Sequence, residues 1–252
     1  MEIMKYPRQF FADSHVGLVR EDNEDSYGFH SSQSEEVSFA VVADGVGGHD
    51  RGEVASQLTV QLFLEAWRDF VDRGVFSPSA GKKFLLKSIK SINSQVFQLN
   101  KELGNSLPMG TTIVVAVFLK GKAIFGHVGD SRAYVVRDGV LEQLTRDHSY
   151  VEELLRSKMI SEAEAVRHPL GHIITRSVGP SNQVDMDLKV YPLSPEDRFV
   201  LCSDGLTNHM SNQEVGEIVS TADTPRTAVK KMVVSALHRG GEDNVTVLSC
   251  FL

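Results

Sequence analysis

The spacing of apolar residues changes period several times along this chain, and each change marks an element. Phe39, Ala40, Val41, Val42 and Ala43 form an unbroken apolar run, which predicts a buried strand ending at Asp44-Gly45. Gly47, Gly48 and His49 follow, and a helix is expected from Gly52. The design recurs at Phe199, Val200, Leu201 and Cys202, a second apolar strand ending in Asp204-Gly205. A third Asp-Gly, at Asp138-Gly139, lies between two alternating segments and predicts a two-residue hairpin turn. A carboxylate at the end of a buried strand, followed by a glycine that admits a close ligand, suits a metal or phosphate site. A turn in a half-polar hairpin does not.

The remaining pattern alternates helices with short strands. Residues 1–14 read as a lead-in or edge strand, and 15–29 gather Arg20, Glu21, Asp22, Glu24 and Asp25 around a short strand. Val54, Leu58, Leu62, Ala66 and Phe70 stand at helical spacing. Leu85, Ile89, Ile92, Val96, Leu99 and Leu103 form a clearer stripe, read as a helix over 84–103 packed on a sheet. From Thr111 onward the period falls to two, predicting an antiparallel meander through about residue 145. Residues 147–187 lose that regularity and read as a flap lobe, with a short helix at 150–159. Strands resume at 184–193 and 198–203. Helices are expected at 212–220 and 225–238, the latter with Thr224 as N-cap and Pro225 in first position, and 245–252 is a final strand.

No repeat, linker or boundary interrupts the 252 residues, so one domain spanning 1–252 is expected. The net charge of −7 argues against a nucleic-acid partner, which needs a basic surface. The longest purely apolar run, 113–119, is far short of a membrane span, and the N-terminus has no apolar segment of signal-peptide length. No membrane association and a cytoplasmic location are therefore expected. Cys202 and Cys250 lie in apolar strands and read as small buried hydrophobes.

Asp44, Asp130, Asp204 and Asp243 each sit at a strand end near glycine. Carboxylates without cysteine or an HExxH pair favour a hard cation such as Mg²⁺ or Mn²⁺. Grouped carboxylates repel one another unless a cation lies among them. Two cations roughly 3.5–4 Å apart can hold a bridging hydroxide and clamp an in-line displacement at phosphorus.

In order along the chain stand REDNEDS (20–26), ADGVGGHDRGEVAS (43–56), GTT (110–112), GHVGDSRAY (126–134), LTRDHS (144–149), ITRSVG (174–179), CSDGLT (202–207) and GEDNVTV (241–247). This series resembles the metal-dependent, or type-2C, protein serine/threonine phosphatases, in their bacterial single-domain form. The resemblance implies an α+β, four-layer sandwich of two packed antiparallel sheets flanked by helices, with the flap at 147–187. It implies that Asp44 bridges two ions, Mn²⁺ or Mg²⁺, with the Gly45 carbonyl, Asp204 and Asp243 completing the site. Asp25 and Glu24 would hold metal-bound waters, and Asp130 a third ion. Arg20 would grip the substrate phosphate, and His49 would protonate the leaving oxygen. The implied partners are phosphoserine and phosphothreonine proteins and a cognate serine/threonine kinase, and the enzyme is expected to be a monomer.

Two positions depart from the family pattern: Val46, where relatives carry methionine or histidine, and Leu170-Gly171, where a polar residue is common. Neither touches an expected ligand. Gly129-Asp130-Ser131 also opens like a GDSL-esterase motif, but no histidine has an aspartate three residues before it. The remaining rival is a catalytically weak regulatory module of the same fold, which loss of an aspartate would signal. All the aspartates are present.

Overall fold

The unbroken apolar runs have a simple cause: their strands are covered on both faces. The computed structural model describes residues 8–31, 37–47, 51–104, 107–165 and 168–252. The first part of the chain forms β1 (Gln9–His15), β2 (Asp25–Ser31), β3 (Val37–Val46), α1 (Gly52–Asp72) and α2 (Pro78–Leu103). The meander follows as β4 (Gly110–Thr111), β5 (Ile113–Leu119), β6 (Lys122–Val128), β7 (Arg132–Arg137) and β8 (Val140–Gln143). The flap holds α3 (Tyr150–Arg156) and α4 (Glu162–Ala165). The chain then runs through β9 (Asp187–Pro192), β10 (Arg198–Cys202), α5 (Asp204–Thr207), α6 (Asn212–Thr221), α7 (Pro225–His238) and β11 (Val245–Phe251).

One sheet is ordered β1-β11-β10-β7-β8 and the other β2-β3-β5-β6-β9, with β4 beside β3. Every named strand pairing is antiparallel. Between the sheets, Ala40, Val42, Val114, Ala116 and Phe118 pack with Ala133, Val135, Phe199, Leu201 and Leu248. The intervening residues of β3 and β5, among them Phe39, Val41, Val115 and Val117, belong to the core shared with α1 and α2. Tyr134, Val136, Val200 and Val247 do the same with α6 and α7. Helix, sheet, sheet and helix therefore stack as four layers, and the expected α+β sandwich is what the chain forms. Strands buried on both faces have no reason to alternate.

Local chemistry sets the element ends. Asp138 and Gly139 both take positive φ (52° and 77°), the geometry of the expected tight hairpin between β7 and β8. Thr224 caps α7 ahead of Pro225 as expected, and Ser211 with Glu214 makes a capping box on α6. Two helix readings need correction. α2 starts at Pro78 behind the Ser77 cap, six residues before the expected 84, because capping and not the apolar stripe fixes its start. On α1 the buried face is Ala55, Thr59, Val60, Phe63, Trp67 and Phe70. A strict i+4 row drifts off a 3.6-residue period, so Val54 is exposed and Leu58 and Leu62 only flank the core. β9 is also shorter than the expected strand, beginning at Asp187.

Candidate metal centre

The acidic residues named from sequence meet where the two sheets end together. Asp25 of β2 lies in register opposite Asp44 of β3. Asp204 opens α5 directly after β10, and Asp243 lies just before β11. Asp130 follows β6 at the same end. The Asp44 and Asp204 carboxyls lie close enough to perturb one another. Segments more than 200 residues apart thus contribute to one acidic corner.

The glycines after two of these aspartates are required by close approach. A Cβ on Gly45 would stand 2.3 Å from the Gly52 carbonyl oxygen, and one on Gly205 2.0 Å from that of Asn244. Any side chain there would force apart the segments that carry the carboxylates. The Gly45 amide donates to the Glu24 carbonyl at 3.0 Å, joining the two loops.

The carboxylates are short of positive charge. Asp25 is buried, and burial together with the charges of Asp204 and Asp243 pushes its carboxyl up to about 7. Burial and the neighbouring Asp204 and Asp147 push Asp130 up to about 7 as well. Asp44 is raised well above the usual carboxylate range by burial, then by Asp25 and Asp204. Asp204 is raised by burial and by Asp243. The Asp25 Oδ2 accepts from the Ser203 hydroxyl at 2.7 Å, while its buried Oδ1 has no hydrogen-bond partner among the described residues. An unpartnered buried carboxylate oxygen within a ring of like charges is the donor set a hard divalent cation satisfies.

The other named residues fall close by. Arg20 is half-exposed and donates to Asp243 Oδ2 at 3.0 Å. Glu24 is turned toward the start of α1, its Oε1 accepting the Gly52 amide at 3.1 Å, and burial raises its carboxyl. Gly47 also stands here, with Arg20 and Glu24, in a cavity of about 550 Å³. A second cavity, of about 320 Å³, lies between Asp130, Asp204 and the flap residues His168 and His172. His49 lies outside the described residues.

Several residues that position the site carry no obvious sequence signal. Asn244 donates to the carbonyls of Val16 (2.8 Å) and Asp22 (2.9 Å) and accepts the Glu24 amide (2.8 Å), fastening the Arg20 loop to β11. Thr111 and Thr112 grip the backbone of Asp44: the Thr111 hydroxyl donates to its carbonyl at 2.8 Å and Thr112 Oγ1 accepts its amide at 3.2 Å. Ser203 accepts the Thr246 amide while donating to Asp25. A polar residue just inside a buried strand is the only hint such roles leave.

A different cluster is tighter. Among the described residues, His127, His148 and Asp187 are the group whose three ligand atoms all lie within 4.8 Å of one another. Its hydrogen bonds argue against a cation. His148 Nδ1 accepts the Gly129 amide at 3.1 Å, and its Nε2 faces Asp187 at 3.4 Å. Ligation would have to strip the remaining ring proton. His127 Nε2 bonds the Arg146 carbonyl at 2.6 Å, and Arg176 supplies Asp187 with a positive charge at 3.0 Å. The two rings stack 4.5 Å apart. This cluster pins the flap to β6, helped by Arg132, whose guanidinium clasps Asp147 at 2.6–3.0 Å. His127 is thus a buried histidine with its Nε2 satisfied.

The family model for "Protein phosphatase 2C" matches residues 14–245. The chain is 36% identical over 232 residues to a "Serine/threonine phosphatase stp" of Listeria monocytogenes, covering 92% of this chain and 91% of the relative. The S. agalactiae serine/threonine phosphatase structure superposes with a TM-score of 0.89 at 34% identity, covering 98% of this chain and all of the other. The catalytic domain of a phosphatase called PstP, solved with two manganese ions, superposes with a TM-score of 0.80 at 30% identity, over 97% of each chain. The chain belongs to the protein phosphatase 2C family. It is a metal-dependent protein serine/threonine phosphatase, acts on phosphoproteins, and uses Mn²⁺ or Mg²⁺.

Proposed function

We propose that Asp44, the Gly45 carbonyl, Asp204 and Asp243 hold a pair of Mn²⁺ or Mg²⁺ ions. Asp25 and Glu24 steady their waters, and Asp130 takes a third ion. The observation that carries this assignment is the buried Asp25 Oδ1, without a hydrogen-bond partner among the described residues, inside a ring of carboxyls raised by burial and mutual repulsion. When bound, such cations supply a water acidic enough to attack phosphorus at neutral pH. Arg20, anchored at Asp243, offers a planar fork of donors to the phosphoryl oxygens of a phosphoserine or phosphothreonine. His49, three residues ahead of α1 in sequence, is assigned the proton delivered to the leaving serine or threonine oxygen.

The substrate's phosphoryl group must first be installed on a hydroxyl side chain, which implies a serine/threonine kinase acting in the same compartment. Residues 1–252 are read as one phosphatase domain, acting as a monomer because every assigned ligand comes from one chain. A cytoplasmic location is supported by the free, buried Cys202 and Cys250, and no described helix is long and apolar enough to cross a membrane.

Calorimetric titration with Mn²⁺ tests the assignment. The wild type is expected to bind, and Asp204→Asn to lose most of that heat while keeping its circular-dichroism spectrum. Equal Mn²⁺ affinity in the two proteins would remove Asp204 from the ligand set. Chelator-insensitive hydrolysis of an aryl phosphate would sink the whole reading.

A further inference from the structure

The surface where α1 meets α2 carries a cleft remote from the acidic corner. α1 starts beside Gly45 and Glu24 and runs 21 residues, which puts its far end about 30 Å away. There the two helices leave an opening of about 460 Å³. Its floor is apolar: the Phe70 and Phe84 rings lie 4.8 Å apart between Ala66 and Ala80, and Val75 stands 62% exposed at the edge. Its rim is basic, formed by the exposed Arg73, Lys83 and Lys87, with Asp69 the acidic side chain among the lining residues.

The positive charge here is unbalanced. α2 carries Lys82, Lys83, Lys87 and Lys90 and no acid before Glu102. None of these lysines, nor Arg73, forms an ion pair among the described residues. In a chain of net charge −7 this is a local reversal of sign. Lys83 and Lys87 stand at i, i+4, where like charges cost a helix stability. Packing gives no return for that cost, since both side chains face solvent.

We propose that this cleft docks an acidic segment of a partner protein. One bulky apolar side chain of the segment enters over Phe70 and Phe84, and flanking carboxylates lie along Arg73, Lys83 and Lys87. The apolar floor disfavours a simple anion, and a concave opening disfavours a flat bilayer. A segment held here needs about nine extended residues to span the ~30 Å to the acidic corner. Where the partner is itself a phosphoprotein substrate, docking raises the effective concentration of its phosphorylated residue. That last consequence rests on the proposed metal centre; the docking does not.

Fluorescence anisotropy with a labelled, unphosphorylated peptide of glutamate and aspartate around one central phenylalanine tests the proposal on the full chain. Saturable binding is expected, weakened about tenfold or more by Lys83→Glu/Lys87→Glu and less by Lys83→Gln/Lys87→Gln. Raising the salt should weaken it further, and replacing the phenylalanine by serine should reduce it. Aryl-phosphate turnover should be unchanged in both double variants. Equal peptide affinity in wild type and both variants overturns the proposal, as does binding to phosphatidylserine vesicles with none to the peptide. Because the readout is binding without turnover, it stands apart from any failure of the metal assignment.

Discussion

Two clusters of ionisable side chains lie at the same end of this molecule, and they differ in whether their charges are balanced. In the flap anchor, Asp187 faces Arg176, Asp147 is clasped by Arg132, and the two histidines engage their ring nitrogens with backbone and carboxylate. In the acidic corner five aspartates crowd together, and among the described residues one buried carboxylate oxygen has no hydrogen-bond partner. By distance alone the flap anchor looks the better metal site. Unsatisfied donor capacity, rather than proximity, separates a place that wants an ion from one already complete.

The sharpest way to break that contrast is a matched pair of isosteric changes. Asp204→Asn is expected to lower kcat about a thousandfold, ~4 kcal/mol of barrier, whereas Asp187→Asn should leave Mn²⁺ affinity unchanged and kcat within about tenfold. Steady-state kinetics with calorimetry decides it; a larger loss at Asp187 would mean the flap cluster belongs to the metal centre. Next in size, Arg132→Ala should cost about 2–3 kcal/mol in urea unfolding, because it strands the mostly buried Asp147 without its partner. A change below about 0.5 kcal/mol would show that the pair contributes nothing net.

The clusters also titrate in opposite senses. Burial, then the stacked His127, holds His148 down at about 4, so the unfolded chain takes up this proton more readily than the folded one. Its contribution is intact above about pH 6.5 and is lost as pH falls toward 4, by about 1–2 kcal/mol at pH 5. His148→Asn should flatten that acid limb, and an unchanged slope would place the titration elsewhere. Asp25 and Asp130, raised to about 7, behave inversely in chelator: the folded state binds their protons more tightly, so stability is lost as pH rises from about 4 to 7. The rise in Tm on adding Mn²⁺ should therefore be larger at pH 7.5 than at pH 5.5. Smallest is Arg20→Ala, expected to raise KM about five- to tenfold with little change in kcat, since the guanidinium is half-exposed and binds the ground state.

The layers and the acidic residues were legible because each leaves a local trace: apolar runs for doubly covered strands, Asp-Gly at their ends, alternation for the meander. What escaped depended on partners far away in sequence. Asn244 matters through Val16 and Asp22, and Thr112 through Asp44, and no local pattern announces such bonds. On α1 the row from Val54 through Leu58, Leu62 and Ala66 runs just beside the contact line, so helical spacing alone does not single out the buried face. α2 was shortened because Ser77-Pro78, a sound start signal, precedes a polar first turn with no apolar stripe.

β11 is made late yet sits between β1 and β10, directly behind Asp243 and Asn244. During translation β1 has no strand partner in its sheet until β11, about 230 residues later (15 to 245), leaves the ribosome, so an open strand edge persists through that interval. A product cut short before Asp243 and β11 would leave that edge bare, and under the metal assignment proposed above it would also lack a ligand.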